Sequence, residues 1–251
     1  MNVLVCTKFV PNPSGTPTLG PDHLLVRDGG DGALDPGDEY GLELALQLTE
    51  AGGGQVTAVS MGPEDAAAGV QRALAMGAAE GILVTDDALR GADALVTARV
   101  LAAVAGSRPF DLIVAGAEST DGYTGTVPVT VAELLGIPSV TAVRKLEPVA
   151  DGYRIERQTE DGYDVLACPA PALVTVTAGA TEPRYPSLKG IMAAKSKPME
   201  RLALADLGVE AAVTQRVTAV TEAPAKAGGE IVQGDDAVAR IADLLTDAGV
   251  I

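Results

Sequence analysis

Short aliphatic runs alternate with amphipathic helical patterns over residues 1–143. The runs at 3–6, 55–60, 81–84, 111–115 and 139–143 predict strands, and the segments 38–51, 64–76, 92–105 and 125–135 predict helices. In the first helix Tyr40, Leu44 and Leu48 form one apolar stripe. Because parallel strands require long crossover connections, this alternation predicts an α/β fold with a mostly parallel, doubly wound, Rossmann-like sheet.

The pattern changes after residue 145. Alternating segments at 153–159 and 163–168 flank Asp161-Gly162, a sequence that predicts a β-hairpin. The apolar run at 172–177 predicts a strand that returns to the sheet.

The last third of the chain is less regular. Prolines punctuate it to about residue 199, and an amphipathic helix is predicted at 235–248. We therefore expect an α/β domain at 1–178, a loop at 179–199 and a C-terminal extension at 200–251. The terminal helix either caps its own domain or reaches onto a partner.

Composition narrows the class of protein. Hydrophobic residues make up 47% and aromatic residues 3%, with no Trp, so we expect a core of small aliphatic side chains. A net charge of −16 argues against nucleic acid as a partner, because such binding needs clustered cations. The two cysteines predict free, buried thiols in a reducing compartment. We find neither a signal peptide nor a membrane span, and we expect a cytoplasmic protein.

Ligands of doubly wound sheets bind beyond the carboxyl ends of the strands, which directs attention to the loops after Cys6, Ser60 and Ala115. The third loop, 116–127, combines glycines and hydroxyls at a strand-to-helix turn, a composition that suits an anion cradle. The alternative is a helix start at which Thr124 or Thr126 caps backbone donors. The loop contains neither a GxGxxG fingerprint nor a Walker lysine.

Acidic and histidine residues give little support for a catalytic or metal site. Asp35 and Asp38 precede the first predicted helix, where they either cap it or accept hydrogen bonds from a ribose. No cluster with metal-ligand spacing accompanies them. His23 is the single histidine and has no evident nucleophile beside it, so we predict no catalytic residues and no metal. The sequence instead indicates a protein that binds a cofactor and a partner.

The segment 181–198 is unusual because it concentrates lysines and large apolar residues in an acidic chain. An apolar anchor ringed by charge is typical of protein contact sites. Its motifs Glu182-Pro183-Arg184-Tyr185-Pro186-Ser187-Leu188 and Ile191-Met192-Ala193-Ala194-Lys195-Ser196-Lys197-Pro198 resemble the signature of electron-transfer flavoprotein beta subunits. Matching segments at 2–8, 34–40, 72–78 and 206–209 extend the resemblance over the whole chain in the expected order.

The resemblance implies a nucleotide-binding subunit of a heterodimer whose alpha subunit holds the working FAD. Carried over by position, the implied AMP neighbourhood is Cys6, Asp35, Pro36, Gly37, Asp38 and Met61 with Ala117, Glu118, Ser119, Thr120, Asp121, Gly122, Tyr123, Thr124, Gly125, Thr126, Val127 and Pro128. The implied partner-recognition residues are Arg184, Tyr185, Leu188, Ile191, Met192, Lys195 and Lys197, with Leu188 as the anchor.

The implied partners are the alpha subunit, acyl-CoA or related dehydrogenases of fatty-acid β-oxidation, and a membrane quinone oxidoreductase that takes the electrons. The chain would be an electron carrier subunit rather than an enzyme, and its extension 200–251 an arm around the alpha subunit. Relatives that oxidise NADH and bifurcate electrons hold a second FAD in place of AMP, and this alternative stays open.

The chain departs from the family pattern in two places. It has Asp121-Gly122-Tyr123 and 125–128 where the family more commonly has Asp-Asp-Asp and Asn-Gln-Thr-Gly, so phosphate contacts there are inferred from position. Ser196 interrupts the usual lysine run and lowers the charge offered to a partner.

Overall fold

The computed structural model describes residues 1–27, 32–221, 223–224, 229, 231–234 and 236–251. They form two compact units, Met1–Thr218 and Ala219–Ile251. The first begins with β1 (Asn2–Cys6), β2 (Phe9–Pro11), β3 (Gly32–Leu34), α1 (Pro36–Gly52), β4 (Gln55–Met61), α2 (Ala67–Met76), β5 (Glu80–Val84), α3 (Ala94–Gly106), β6 (Leu112–Gly116) and α4 (Val127–Leu135). It continues with β7 (Ser139–Val149), β8 (Gly152–Thr159), β9 (Gly162–Pro169), β10 (Ala172–Val176), α5 (Leu188–Ala194), β11 (Met199–Leu202) and α6 (Leu204–Leu207).

The central sheet follows the order β11-β5-β4-β1-β6-β10-β7-β8-β9 within the described residues. The pairs from β11 to β7 are all parallel, and the β8–β9 hairpin adds two antiparallel strands at one edge. A separate small sheet pairs β2 with β3. The predicted α/β fold with a mostly parallel, doubly wound sheet is confirmed.

Two aliphatic layers cover the faces of this sheet. Along β1, Val3 and Val5 face the layer with α1 and α2, whereas Leu4 faces the layer with α3 and α4. This alternation follows from the two-residue period of a strand, and both layers consist mainly of Ala, Val, Leu and Ile, as the composition predicts. Cys6 and Cys168 are free thiols, and only Cys168 is fully buried.

The second half of the first unit differs from the prediction. The segment 179–199 contains the short helix α5, which begins after the N-cap Ser187. Residues 199–202 form β11, which pairs with β5 and extends the sheet. The first compact unit continues to Thr218, so β11 and α6 belong to it.

The second unit contains α7 (Ala237–Asp247). The predicted amphipathic helix is therefore present, and its apolar residues Val238, Ile241 and Leu245 are exposed. Its predicted first residue, 235, lies outside the described residues. No helix in the described parts of either unit is long and apolar enough to cross a bilayer.

Candidate functional site

The sheet order places a topological switch point beside β1. β4 lies on one side of this strand and β6 on the other, so the connections leave β1 in opposite directions. In doubly wound sheets a ligand crevice forms at such a switch point, outside the carboxyl ends of the strands. We use "crevice" for the neighbouring residues 6–8, 35–38 and 116–126, which follow or face these ends.

Asp35 connects two parts of the crevice, the start of α1 and the loop after β6, through hydrogen bonds. Its fully buried carboxylate caps α1 by accepting a hydrogen bond from Gly37 N at 2.8 Å. The other carboxylate oxygen accepts bonds from Thr120 N at 2.7 Å and Thr120 Oγ1 at 2.8 Å. The capping interpretation of Asp35 is confirmed, and its oxygens are directed at protein donors.

Asp38 connects the start of α1 to the ends of β1 and β6 in the same way. Its carboxylate oxygens accept hydrogen bonds from Lys8 N at 2.7 Å and Gly116 N at 3.2 Å. Burial, followed by the negative charge of Asp35, raises the pKa of Asp38 to about 8 against the opposing effect of these two N–H groups. The partial burial of Cys6, followed by the charge of Asp38, raises the pKa of its thiol to about 12, so this thiol stays protonated.

A cluster of two cations and one carboxylate lies at the mouth of the crevice. The Asp121 side chain is 4% exposed and binds Lys8 Nζ at 2.6 Å and Arg27 Nη2 at 2.5 Å. Lys8 Nζ also donates to Ser119 Oγ at 3.2 Å. Burial alone would raise the pKa of Asp121, but the two cations hold it below its usual range. The cluster carries a net positive charge, whereas the net charge of the whole chain is −16.

The loop that follows ends at the N-terminus of α4. Thr126 occupies the N-cap without a side-chain capping bond, and Pro128 lies in the first turn. The predicted hydroxyl cap is therefore wrong; instead, the Thr126 carbonyl accepts a bond from Thr130 Oγ1. The first N–H groups of a helix lack intrahelical partners and attract anions. With exposed hydroxyls at Thr124 and Thr126, these residues fit a phosphate group.

The structure brings most of the predicted nucleotide-site residues together. Asp35, Asp38 and the loop after β6 are joined by hydrogen bonds, while Met61 ends β4, the strand beside β1. Lys8 and Arg27 are the residues that sequence reasoning missed. Lys8 lies two positions after the end of β1, where ligand-binding residues are expected in a doubly wound sheet. No local sequence pattern indicates Arg27. Among the described residues no group of His, Cys, Asp and Glu could hold a metal ion.

The second candidate surface is the docking segment, residues 184–197. Tyr185, Leu188 and Met192 are 89%, 82% and 74% exposed, and Ile191 is 46% exposed. Four large apolar side chains on one short stretch form the kind of exposed patch that marks a contact site. They lie on or directly before α5.

Two of the predicted partner-recognition residues instead face their own chain. Arg184 binds Glu43 and Glu50 of α1, and Lys197 Nζ donates to the carbonyl oxygens of Leu74 and Ala78 at 2.9 and 2.6 Å. Direct partner contact through these two charges was predicted because a basic run on a loop looks available from sequence alone. The structure shows that both are already engaged.

Comparison with known proteins agrees with this architecture. Residues 22–207 match the family described as Electron transfer flavoprotein domain. The chain is 36% identical to the electron transfer flavoprotein subunit beta of Thermoanaerobacterium thermosaccharolyticum over the full length of both.

Other relatives carry the same description. The subunit beta of Bacillus subtilis is 39% identical over 84% of this chain and 83% of that protein. The subunit beta of Megasphaera elsdenii is 32% identical over 94% and 93%. The resemblance inferred from the sequence motifs is thereby confirmed, and the chain belongs to the electron transfer flavoprotein family, on its beta-subunit branch.

Proposed function

We propose that this chain is the beta subunit of a heterodimeric electron transfer flavoprotein, an electron carrier rather than a self-sufficient enzyme. It holds AMP in the crevice, completes a heterodimer with an alpha subunit and docks acyl-CoA or related dehydrogenases, whose electrons pass on to a membrane quinone oxidoreductase. FAD, held mainly by the alpha subunit, supplies the redox chemistry. The observation that carries the proposal is the exposed apolar face of α5 on a segment tied to the body of the domain.

The crevice supports the nucleotide part of the proposal. The net positive cluster of Lys8, Arg27 and Asp121 favours a phosphate. The start of α4 does so as well, although Pro128 contributes no N–H group to its first turn. Asp35 and Asp38 hold the surrounding loops in place through bonds to backbone donors. The role of these carboxylates is therefore to shape the site rather than to contact the ligand.

The docking part rests on α5. Leu188 projects an almost fully exposed aliphatic side chain from its first position. An exposed apolar side chain of this kind is a suitable anchor for a pocket on a partner, because its burial removes apolar area from water. Helix α7 has exposed apolar side chains, and we assign this surface to the contact with the alpha subunit.

A second reading places FAD in the crevice and makes the heterodimer an NADH-oxidising, electron-bifurcating flavoprotein. The crevice chemistry favours neither ligand strongly, because AMP and FAD share the adenosine phosphate that these residues fit. Denaturing the purified heterodimer and quantifying the released nucleotides separates the two. One FAD with one AMP supports the relay, whereas two FAD without AMP would assign the bifurcating function.

The docking role has its own test. Leu188→Ala should slow the reduction of the heterodimer by an acyl-CoA dehydrogenase loaded with its acyl-CoA substrate, with flavin content unchanged. Val165→Ala is the matched control, because Val165 is an exposed aliphatic residue on β9, away from α5 in the chain. Equal rates for both variants and the wild type would remove the docking assignment.

A further inference from the structure

We propose that Arg184 and Lys197 are positioning residues that hold the docking segment open from its two ends, while Lys189 and Lys195 face the partner. The inference rests on the proposed docking function and divides the segment's cations into an inward and an outward pair. It identifies the partner surface by its chemistry as an apolar pocket rimmed by carboxylates.

The first end of the segment is clamped to α1. Arg184 donates five hydrogen bonds to two carboxylates: Nε at 2.7 Å, Nη2 at 3.0 Å and its backbone N at 3.3 Å to Glu43, and Nη1 at 2.5 Å and Nη2 at 3.0 Å to Glu50. Such forked pairs fix the guanidinium plane as well as its position. Thr181 Oγ1 adds a bond to the carbonyl oxygen of Tyr40 at 3.0 Å, one turn earlier on α1.

Glu43 is well suited to this role. Its side chain is 4% exposed and receives a further bond from Gln47 at 2.8 Å. Burial alone would raise the pKa of Glu43, but the bonds from Arg184 and Gln47 hold it below its usual range. A buried carboxylate that lost Arg184 would be left without its counter-ion, so the clamp is costly to open.

The second end is fixed to α2. Lys197 Nζ binds the carbonyl oxygens of Leu74 and Ala78 at the end of that helix, where carbonyl groups lack intrahelical donors. Between the two ends, Gly190 lies so close to α2 that a Cβ there would be 2.5 Å from the carbonyl oxygen of Ala75. The backbone of α5 therefore rests directly on α2, and its large side chains Leu188, Ile191 and Met192 are exposed while Ala194 is buried.

The two fixed ends explain how the apolar face stays exposed. A free segment with Tyr185, Leu188 and Met192 would gain by collapsing onto the domain surface, since burial of apolar area is favourable. Holding it in one conformation before binding also lowers the entropy lost on docking. Lys189 and Lys195 are exposed and have no ion pair within the described residues, so their charges are available to carboxylates on a partner.

The test uses the intact heterodimer and two kinds of readout. Amide hydrogen exchange across 185–196 and tryptic cleavage after Lys189 report on the segment itself. We expect both rates to rise about tenfold in Glu50→Gln, the effect of losing roughly one charge-assisted hydrogen bond. They should rise further in Arg184→Gln, which loses all four side-chain bonds of the clamp. Arg201→Gln is the control, because Arg201 pairs with Glu64 in an exposed ion pair outside the segment.

The kinetic readout distinguishes positioning from contact. With a reduced acyl-CoA dehydrogenase as the probe, Arg184→Gln should raise the half-saturating heterodimer concentration and leave the rate at saturation and the FAD content unchanged. Lys189→Gln and Lys195→Gln should lower the docking affinity and make it less sensitive to salt. Amide exchange in the segment should not change in either variant.

Each outcome decides the proposal. Glu50 is 58% exposed, so Glu50→Gln tests the clamp even where a change at Arg184 prevents folding. Unchanged exchange in a folded Arg184→Gln or Glu50→Gln protein would overturn the positioning role. If exchange rises as expected but Leu188→Ala docks normally, the clamp stands and the docking function fails.

Discussion

Asp35 and Thr120 are joined by two hydrogen bonds, from the backbone N and the Oγ1 of Thr120 to one carboxylate oxygen of Asp35. The residues are 85 positions apart in the chain. The same carboxylate caps α1, so one side chain links the start of that helix to the loop after β6. The crevice is thus closed on two sides by a single buried side chain.

Asp35→Ala should lower the free energy of unfolding by about 3 kcal/mol, since it removes a helix cap and the acceptor for two partly buried donors of Thr120. Thr120→Val removes only the hydroxyl and should cost about 1 kcal/mol. Urea unfolding of the purified protein measures both. Equal losses for the two variants would show that Asp35 acts only as a partner of the Thr120 hydroxyl and not as the joint between two walls.

Asp38 makes stability depend on pH. Its pKa is raised from 3.8 to about 8, so the folded protein keeps a proton that the unfolded chain releases. The free energy of unfolding should therefore fall as pH rises between about 4 and 8, by up to about 1.4 kcal/mol per unit, and level off above. Asp38→Asn has no titrating group at this position, so its free energy of unfolding should lack this dependence on pH.

The comparison of the two proteins isolates Asp38, because all other titrating groups are common to both. We expect Asp38→Asn to be less stable than the wild type at pH 5, since an amide offers only one oxygen to the N–H groups of Lys8 and Gly116. The difference should shrink towards pH 8. Parallel curves of unfolding free energy against pH would contradict the assignment.

The sequence predicts the parts of the fold whose pattern is local. The strands and helices of the first 143 residues have a clear period, and the Asp161-Gly162 turn identifies the hairpin. The strand β11 has no such signal, because Met199–Leu202 alternates too briefly and is recruited by pairing with β5. Its existence depends on a neighbour more than a hundred residues earlier in the chain.

In the candidate sites, too, the sequence predicts only the features that depend on local position. Position after a strand was enough to select the loops after Cys6 and Ala115 as crevice loops. The direction of a long side chain was not predictable: Arg184 and Lys197 read as surface charges, but tertiary contacts with α1 and α2 turn them inward. Likewise Arg27 joins the crevice through Asp121, a residue 94 positions away.

Lys8→Gln should weaken AMP binding to the nucleotide-stripped heterodimer about tenfold, because one of the two cations beside the crevice is lost. The affinity should also become less sensitive to salt. Isothermal titration with AMP at two salt concentrations measures both effects. Lys145→Gln is the matched control, because Lys145 pairs with Glu147 on β7. Identical affinities in the two variants would place the phosphate away from Lys8.

Gly190→Ala tests how closely α5 rests on α2. Alanine normally stabilises a helix relative to glycine, and Gly52→Ala at the end of α1, with nothing within 4 Å, should gain about 0.4–1 kcal/mol. At Gly190 the new Cβ would lie 2.5 Å from the carbonyl oxygen of Ala75, a backbone atom that cannot move aside cheaply.

We therefore expect the opposite sign at this position, a loss of about 1–3 kcal/mol from overpacking. Amide exchange in 188–194 should rise at the same time, because α5 is pushed off α2. Urea unfolding of both variants gives the two signs directly. A stabilising Gly190→Ala would mean that α5 can lift from α2 without cost, so that the docking segment would depend on the Arg184 clamp alone.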